Sequence, residues 1–316
     1  DDNKLMPADS YELITSLYSL AERNISEFES DGDDDFSFAV PGISRFRVNT
    51  FRQRSSYAAV IRVISFDLPK PEELHIPDAV MNLANENHGM VLVTGPAGSG
   101  KSTTLACLIN KINQEQEAHI ITLEDPLEYL HRHEKSIVSQ REISTDTDSY
   151  LIALRAALRQ SPDVILLGEM RDYETINTAV TAAETGHLLF SSLHTIGAAN
   201  TIDRIIDVFP ASQQQQISIQ LASILNAVVS QKLLPTVDGK VIPAFEIMVL
   251  TPAIRTLIRE RKVHQIDGII YTSSAENMVA MDTSILKLYQ DGIISKETAI
   301  NEAMNPDMMM RRINLK

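Results

Sequence analysis

Gly95-Pro96-Ala97-Gly98-Ser99-Gly100-Lys101-Ser102 is the stretch whose reading decides how this 316-residue chain folds. It follows an apolar run at residues 90–94 and precedes Leu105, Leu108, Ile109 and Ile112, which take the i, i+3, i+4, i+7 spacing of an amphipathic helix. A strand that turns through glycines into a helix is the context this phosphate-loop pattern demands. The glycines let backbone N–H groups close around phosphate oxygens, and the helix N-terminus adds its positive end. Lys101 is placed to reach the outer phosphates and Ser102 to offer a hydroxyl to Mg²⁺. The binding stretch is read from Gly95 to Thr103.

Working outward, further apolar runs at residues 120–123, 164–167 and 188–190 alternate with helical faces such as Leu151, Leu154 and Leu158, and Ile176, Ala179, Val180 and Ala183. Helices covering successive strands predict an α/β domain whose sheet is parallel with right-handed crossovers. A long helix is expected to carry Ile217, Leu221, Ile224, Leu225 and Val228, with Gln213 to Gln216 as its wet first turns. Beyond Pro252 the pattern is helical. Upstream, residues 1–67 read as a small α+β module: a helix near residues 11–21, an acidic run at 31–35 and alternating strands over 36–66. The acidic run lacks the ligand spacing of a calcium loop and reads as a solvated turn. Residues 68–77 hold Pro69, Pro71 and Pro77 among charges and read as a semi-rigid linker, which leaves 78–316 as the second domain. The chain opens on Asp1 without a methionine, so the sequence is read as starting inside its first domain.

Composition narrows the partners. Lys and Arg number 28 against 42 Asp and Glu, a formal net charge of −14, which argues against a partner held mainly through nucleic-acid phosphates or anionic lipid. No apolar run approaches the roughly 20 residues that span a bilayer, and no signal peptide is evident, so no direct membrane insertion is expected. The single cysteine, Cys107, allows neither an internal disulfide nor a cysteine-rich zinc site, which suits a reducing, cytoplasmic compartment.

Ligands of open α/β sheets bind at the carboxyl ends of strands, so the residues that the other strands deliver to that edge are the next candidates. One strand ends in Glu124-Asp125-Pro126-Leu127-Glu128, another in Gly168-Glu169, and a third runs on to His194. Acids at this edge can hold Mg²⁺ and orient or deprotonate an attacking water, and a histidine can contact the γ-phosphate. Gly168 stands where an Asp is usual, so Glu169 is the first carboxylate at the correct end and the expected second Mg²⁺ contact beside Ser102. Asp125 is equally readable as a helix cap or surface acid.

Outside this edge, His131 and His133 flank Arg132 without convergent ligands and read as exposed loop residues, so no metal besides Mg²⁺ is expected. Arg62 alternates with Val60 and Ile64. A charge on such a face needs a partner or an interface, or else it is a solvent-edge arginine that snorkels. At residues 253–262, Ile254, Leu257 and Ile258 should pack inward, leaving Arg255, Arg259 and Lys262 as a basic stripe that is either a docking surface or a solvated helix face.

These residues resemble a known family, the secretion and pilus-assembly ATPases, and within it the PilT-type retraction motors of type IV pili. The phosphate loop matches. Residues 121–129 look like the family's acidic box with Glu124 and Glu128, residues 164–172 its second nucleotide motif with Glu169, and residues 186–195 its histidine box with His194. The likeness covers most of residues 36–260. It implies a homo-hexameric ATP-hydrolysing motor, each subunit having a PAS-like N-terminal domain and a RecA-like P-loop ATPase domain. It implies a place at the cytoplasmic face of the inner membrane, against a pilus platform protein. It also implies that N-terminal arginines, matching Arg47 and Arg62, complete the ATP site. Residues 253–260 are similar to the retraction motors' C-terminal motif, departing at Thr256 where Asn is usual. Extension and type II secretion motors typically carry a four-cysteine zinc site that one cysteine cannot build. A P-loop phosphotransferase would need an acceptor-binding lid that is not seen, and a non-hydrolytic subunit would not need all of Glu124, Glu128, Glu169 and His194.

Overall fold

Local sequence explains the first elements of the chain, described here from a computed structural model that covers residues 4–40, 42–64, 67–273 and 277–314. The chain divides into two units, Asp1–Asp67 with Leu127–Leu130, and Leu68–Pro126 with His131–Lys316. In the first, helices α1 (Pro7–Leu20) and α2 (Ser26–Asp31) precede three antiparallel strands, β1 (Asp33–Val40), β2 (Ser44–Gln53) and β3 (Ser56–Ile64). Ile14, Tyr18, Phe28, Phe36, Phe38 and Val48 form its core. The acidic run is not a turn. Asp31 ends α2, Gly32 turns the chain, and Asp33 to Asp35 start β1. Asp34 takes two hydrogen bonds from Arg23, at 2.9 and 2.8 Å, and one from the Tyr18 hydroxyl, so its charge is satisfied inside the fold rather than by solvent. Ser65 and Phe66, the end of the expected strand region, lie outside the described residues.

The second unit begins with α3 (Asp78–Met81), β4 (Gly89–Thr94), α4 (Lys101–Glu115), β5 (His119–Glu124) and β6 (Ile137–Glu142). It continues through α5 (Tyr150–Ala157), β7 (Val164–Leu167), α6 (Tyr173–Glu184), β8 (Leu188–Leu193), α7 (Ala198–Asp207) and α8 (Gln214–Ile224). A hairpin of β9 (Leu225–Pro235) and β10 (Val241–Val249) comes next. The chain ends in α9 (Pro252–Arg259), α10 (Ile266–Thr272), α11 (Met281–Gln290), α12 (Lys296–Glu302) and α13 (Pro306–Asn314). Among the described residues these strands make one seven-stranded sheet, ordered β10-β9-β4-β8-β7-β5-β6.

The sheet is parallel from β9 to β6, and β10 runs antiparallel at its edge. The wholly parallel expectation is corrected there, because a short turn joins β9 to β10 and leaves no room for a crossover helix. Alternation sorts the strand side chains between two cores. Met90, Leu92, Ile121, Leu167 and Leu189 meet α5, α6 and α8 on one face, while Val91, Val93, Leu166 and Phe190 meet α4 on the other. All four predicted apolar positions of α4 are buried.

The long helix expected to reach Val228 ends at Ile224, and Leu225 opens β9. The i, i+4 spacing of Leu221 with Leu225 mimics a helix face, but the side chains beyond it belong to a strand buried on both faces. Gln213 to Gln216 do more than hydrate a first turn. Gln213 accepts from the Tyr173 hydroxyl, Gln214 from Arg261, and Gln215 donates to the Arg259 carbonyl. Leu68, Leu74 and Ile76, within the proline-rich stretch, pack on the α4 side of the sheet. Among the described residues, no helix is long and apolar enough to cross a membrane.

Candidate active site

The site starts where β4 ends. Gly95 has φ +144°, and a Cβ there would sit 2.1 Å from the Gln231 carbonyl, so only glycine lets the loop turn this close to β9. Lys101, the first residue of α4, is buried, and its ammonium donates to the Gly95 and Pro96 carbonyls at 3.0 and 2.9 Å. Ser102 and Thr103 come next in the first turn, both half-buried. Among the described residues Ser99 Oγ is buried without a hydrogen-bond partner, so a phosphate oxygen in this loop would find a donor waiting.

The parallel order β4-β8-β7-β5 brings the carboxyl ends of four strands to the same edge. Glu169, just past β7, is half-buried; its Oε1 lies 3.3 Å from His194 Nε2, and its Oε2 accepts from Arg171 at 2.7 Å. Seats on neighbouring strands explain the meeting of Glu169 and His194. Ser192 Oγ donates to the Gly168 carbonyl at 2.6 Å and the Met170 N–H to the Ser192 carbonyl at 3.3 Å, so the two loops are laced together. Glu124 closes β5 and is half-buried, while Asp125 beside it is exposed. Glu128 is exposed within Leu127–Leu130, the segment described with the first unit.

Gly168 has a physical reason to be glycine. A Cβ there would meet Tyr150 Oη at 2.9 Å and the Leu123 carbonyl at 3.1 Å, so the aspartate usual at such a strand end would have to displace both. Tyr150 carries no signal in the sequence, because its place depends on α5 packing over β5. Burial first, then the Asp125, Glu169 and Glu124 carboxylates, push its phenol far above the ordinary range. Arg171 and Arg204 are likewise absent from the sequence-based candidates; with Glu169, His194 and Thr195 they line a cavity of 330 Å³. An arginine just past a strand, as Arg171 is, or in a helix's last turn, as Arg204 is, carries no sequence signal distinct from surface charge.

Other expectations are revised. His133 is exposed and its Nδ1 accepts from the Val138 N–H. His131 is half-buried rather than exposed, and burial pushes it down to about 4, which leaves it neutral at physiological pH. Arg62 is exposed, as are Val60 and Val63, while Ile64 is buried. Arg47, on β2, donates to Asp35 at 2.8 Å. Among the described residues no three His, Cys, Asp or Glu side chains group to hold a metal, so a divalent ion here would depend on substrate oxygens and water. The hydroxyl and carboxylate donors of Ser102 and Glu169 suit hard Mg²⁺ in that manner.

Residues 7–243 match the family described as "Type II/IV secretion system protein". The chain belongs to that family. It is 48% identical over 298 residues to a "Twitching motility protein" of Neisseria gonorrhoeae, covering 94% of this chain and 79% of the relative. It is 44% identical over 304 residues to the "Type IV pilus retractation ATPase PilT" of Pseudomonas aeruginosa, covering 96% and 88%. Among solved structures, the "Pilus Retraction Motor PilT and Bound ADP" superposes with a TM-score of 0.88 at 46% identity, over 94% of this chain and 85% of that one. The architecture is therefore that of the type II/IV secretion system ATPases: a RecA-like α/β nucleotide-binding domain preceded by a PAS-like α+β domain.

Proposed function

We propose that this chain is the ATP-hydrolysing subunit of a homo-hexameric motor that retracts type IV pili, working at the cytoplasmic face of the inner membrane against a pilus platform protein. The observation that carries the hydrolytic part is Glu169 in contact with His194, on strand ends beside the phosphate loop. In this reading Lys101 and the Gly95–Thr103 backbone hold the phosphates. Ser102 and Glu169 hold Mg²⁺, which when bound would neutralise charge on the phosphate oxygens. Glu169 orients and deprotonates the attacking water, with Glu124 and Glu128 as further acids, and His194 contacts the γ-phosphate.

Arg47 and Arg62 would stabilise charge developing at the nucleotide. Their support is that they lie directly opposite each other across β2 and β3. Two like charges so placed disfavour a sheet; Asp35, paired with Arg47, already offsets part of that cost, and an anion shared with Arg62 would offset more. Retraction is supported by the relatives' names and by α9, where Ile254 and Ile258 are buried while Arg255 and Arg259 are exposed.

Hydrolysis is tested with Lys101→Ala, expected to abolish turnover, and Glu169→Gln, expected to bind ATP yet turn over poorly; wild-type turnover in either would sink the assignment. Retraction is tested by deleting the gene in its host. Surplus, non-retracting pili are expected, and bald cells would point to extension instead. Complementation with the Arg255→Gln/Arg259→Gln double variant should restore hydrolysis without twitching, since Gln keeps the helix but removes the charge.

A further inference from the structure

Helices α7 and α11 share one problem. Their N-caps are Gly197 and Ala280, neither of which offers a side-chain acceptor to the N–H groups of the first turn. Those donors cost free energy if buried unpaired. One residue serves both helices. Glu246, in β10 and only 8% exposed, accepts from the Ala198 N–H through Oε1 at 2.9 Å and from the Met281 N–H through Oε2 at 3.4 Å. A carboxylate between two helix N-termini is doubly favoured by their dipoles. Burial pushes its carboxyl up and the two N–H groups pull it back.

The anchored end of α7 is the far end of the loop that carries His194. That loop runs from Leu193, at the end of β8, to Gly197, so its path is set by β8 on one side and by the seat of α7 on the other. A second contact reinforces that seat: the Gly197 N–H donates to Ser230 Oγ at 2.9 Å. Ser230 is the cross-strand partner of Glu246. Next to it, Gln231 accepts from Thr104 of α4 at 2.8 Å and lies against Gly95 and Gly100. The β9–β10 hairpin therefore meets the phosphate loop with one residue and the histidine loop with two. At its other oxygen Glu246 joins this arrangement to α11, where paired backbone hydrogen bonds between Ile247 and Val279 add a second tie.

We propose that Glu246 is a positioning residue for hydrolysis: by capping α7 and α11 with one carboxylate it fixes the loop that sets His194 against Glu169, and it makes the placement of His194 depend on the C-terminal helices. This rests on His194 acting at the nucleotide, as proposed above. Glu246 touches no reacting atom. Its effect should therefore fall on turnover and not on nucleotide capture, which belongs to Lys101 and the phosphate loop.

Glu246→Gln keeps the shape and one acceptor oxygen but sets an amide N–H against one helix N–H, and Glu246→Ala removes both acceptors. The expected result is a kcat lower by roughly ten- to hundredfold in Glu246→Ala, of the size a misplaced catalytic group produces, with Glu246→Gln intermediate. KM for ATP and the affinity for a fluorescent ADP should stay within about twofold if only His194 is displaced. The deciding arm repeats Glu246→Gln in a His194→Ala background. If Glu246 acts through His194, the second substitution adds little to the first, because residues in one linkage are not additive. Full multiplication of the two losses, unchanged kcat in Glu246→Gln, or a parallel loss of ADP affinity would each overturn the proposal. Wild-type turnover in His194→Ala alone would instead overturn the role of His194 on which it rests. Should Glu246→Ala fail to fold, Ser230→Ala, which removes only the Gly197 contact, carries the same kcat-against-KM comparison.

Discussion

Strands β3 and β8 look alike as sequence, since SYAAVIRVI and LLFSSL are both short apolar runs. In the structure they behave as opposites. Every residue of β8 is buried, whereas Val60, Ile61 and Val63 of β3 are 62, 47 and 61% exposed. The difference comes from position. β8 has a strand on either side and helices on both faces, and β3 is the last strand of a three-stranded sheet. In β8 the side chains hold the fold, and chemistry is left to His194, the residue just past the strand end. In β3 the strand face itself is available, and it displays Arg62. Stability and function thus separate along one strand but share a surface on the other.

The sharpest test of that contrast is Arg62→Ala. Turnover should fall about 10³-fold or more, the general scale for charge-stabilising arginines, while the thermal midpoint stays put. Persistent activity would make β3 merely an edge. The mirror experiment is Phe190→Ala in β8. It should cost about 3–5 kcal/mol of stability in chemical denaturation, as expected for a buried aromatic truncated in a packed core; a loss below about 1 kcal/mol would mean the site collapses without a cavity.

A smaller effect sits between the two. Asp172 caps α6, accepting from the Thr175 N–H at 2.9 Å and hydroxyl at 2.7 Å. Partial burial raises its carboxyl, and these bonds outweigh that and hold it below its ordinary 3.8. Asp172→Ala should cost about 1 kcal/mol at pH 7. Because the folded value is depressed, the stabilisation is present above the unfolded value and is lost as pH falls through the folded one. The gap between the two proteins should hold down to about pH 4 and close below it; a gap that grew on acidification would refute the cap. The least effect is expected from Val63→Thr, within about 0.5 kcal/mol. A larger loss would show that the face of β3 carrying Val63, opposite that of Arg62, is covered by something.

Legibility in the sequence divides along the same line. Gly95 to Ser102 and the runs at β4, β5, β7 and β8 are legible because each is specified by its own residues. Strand β6 is not, since an edge strand with the mixed sequence IVSQRE carries no clean periodicity. The α8–β9 junction misleads because Leu225 and Val228 extend a helical spacing by coincidence. In the site, strand ends point to Glu124, Glu169 and His194 through a rule of topology. Tyr150 and Arg204 reach the same edge by packing between distant segments, and Arg171, close after β7, reads locally as surface charge; no local pattern announces any of the three. Glu246 is the extreme case, serving two helix ends 83 residues apart, as the difference between Ala198 and Met281 shows.

The Lys101 ammonium carries a final consequence. It is held by the Gly95 and Pro96 carbonyls of its own loop, so capture of a phosphate there is an exchange reaction. An incoming phosphate oxygen must compete with these carbonyls for the ammonium's donors, and its negative charge is what lets it win. The net gain on binding is then a difference between two sets of bonds to one cation, and it rises with the charge the incoming oxygens carry.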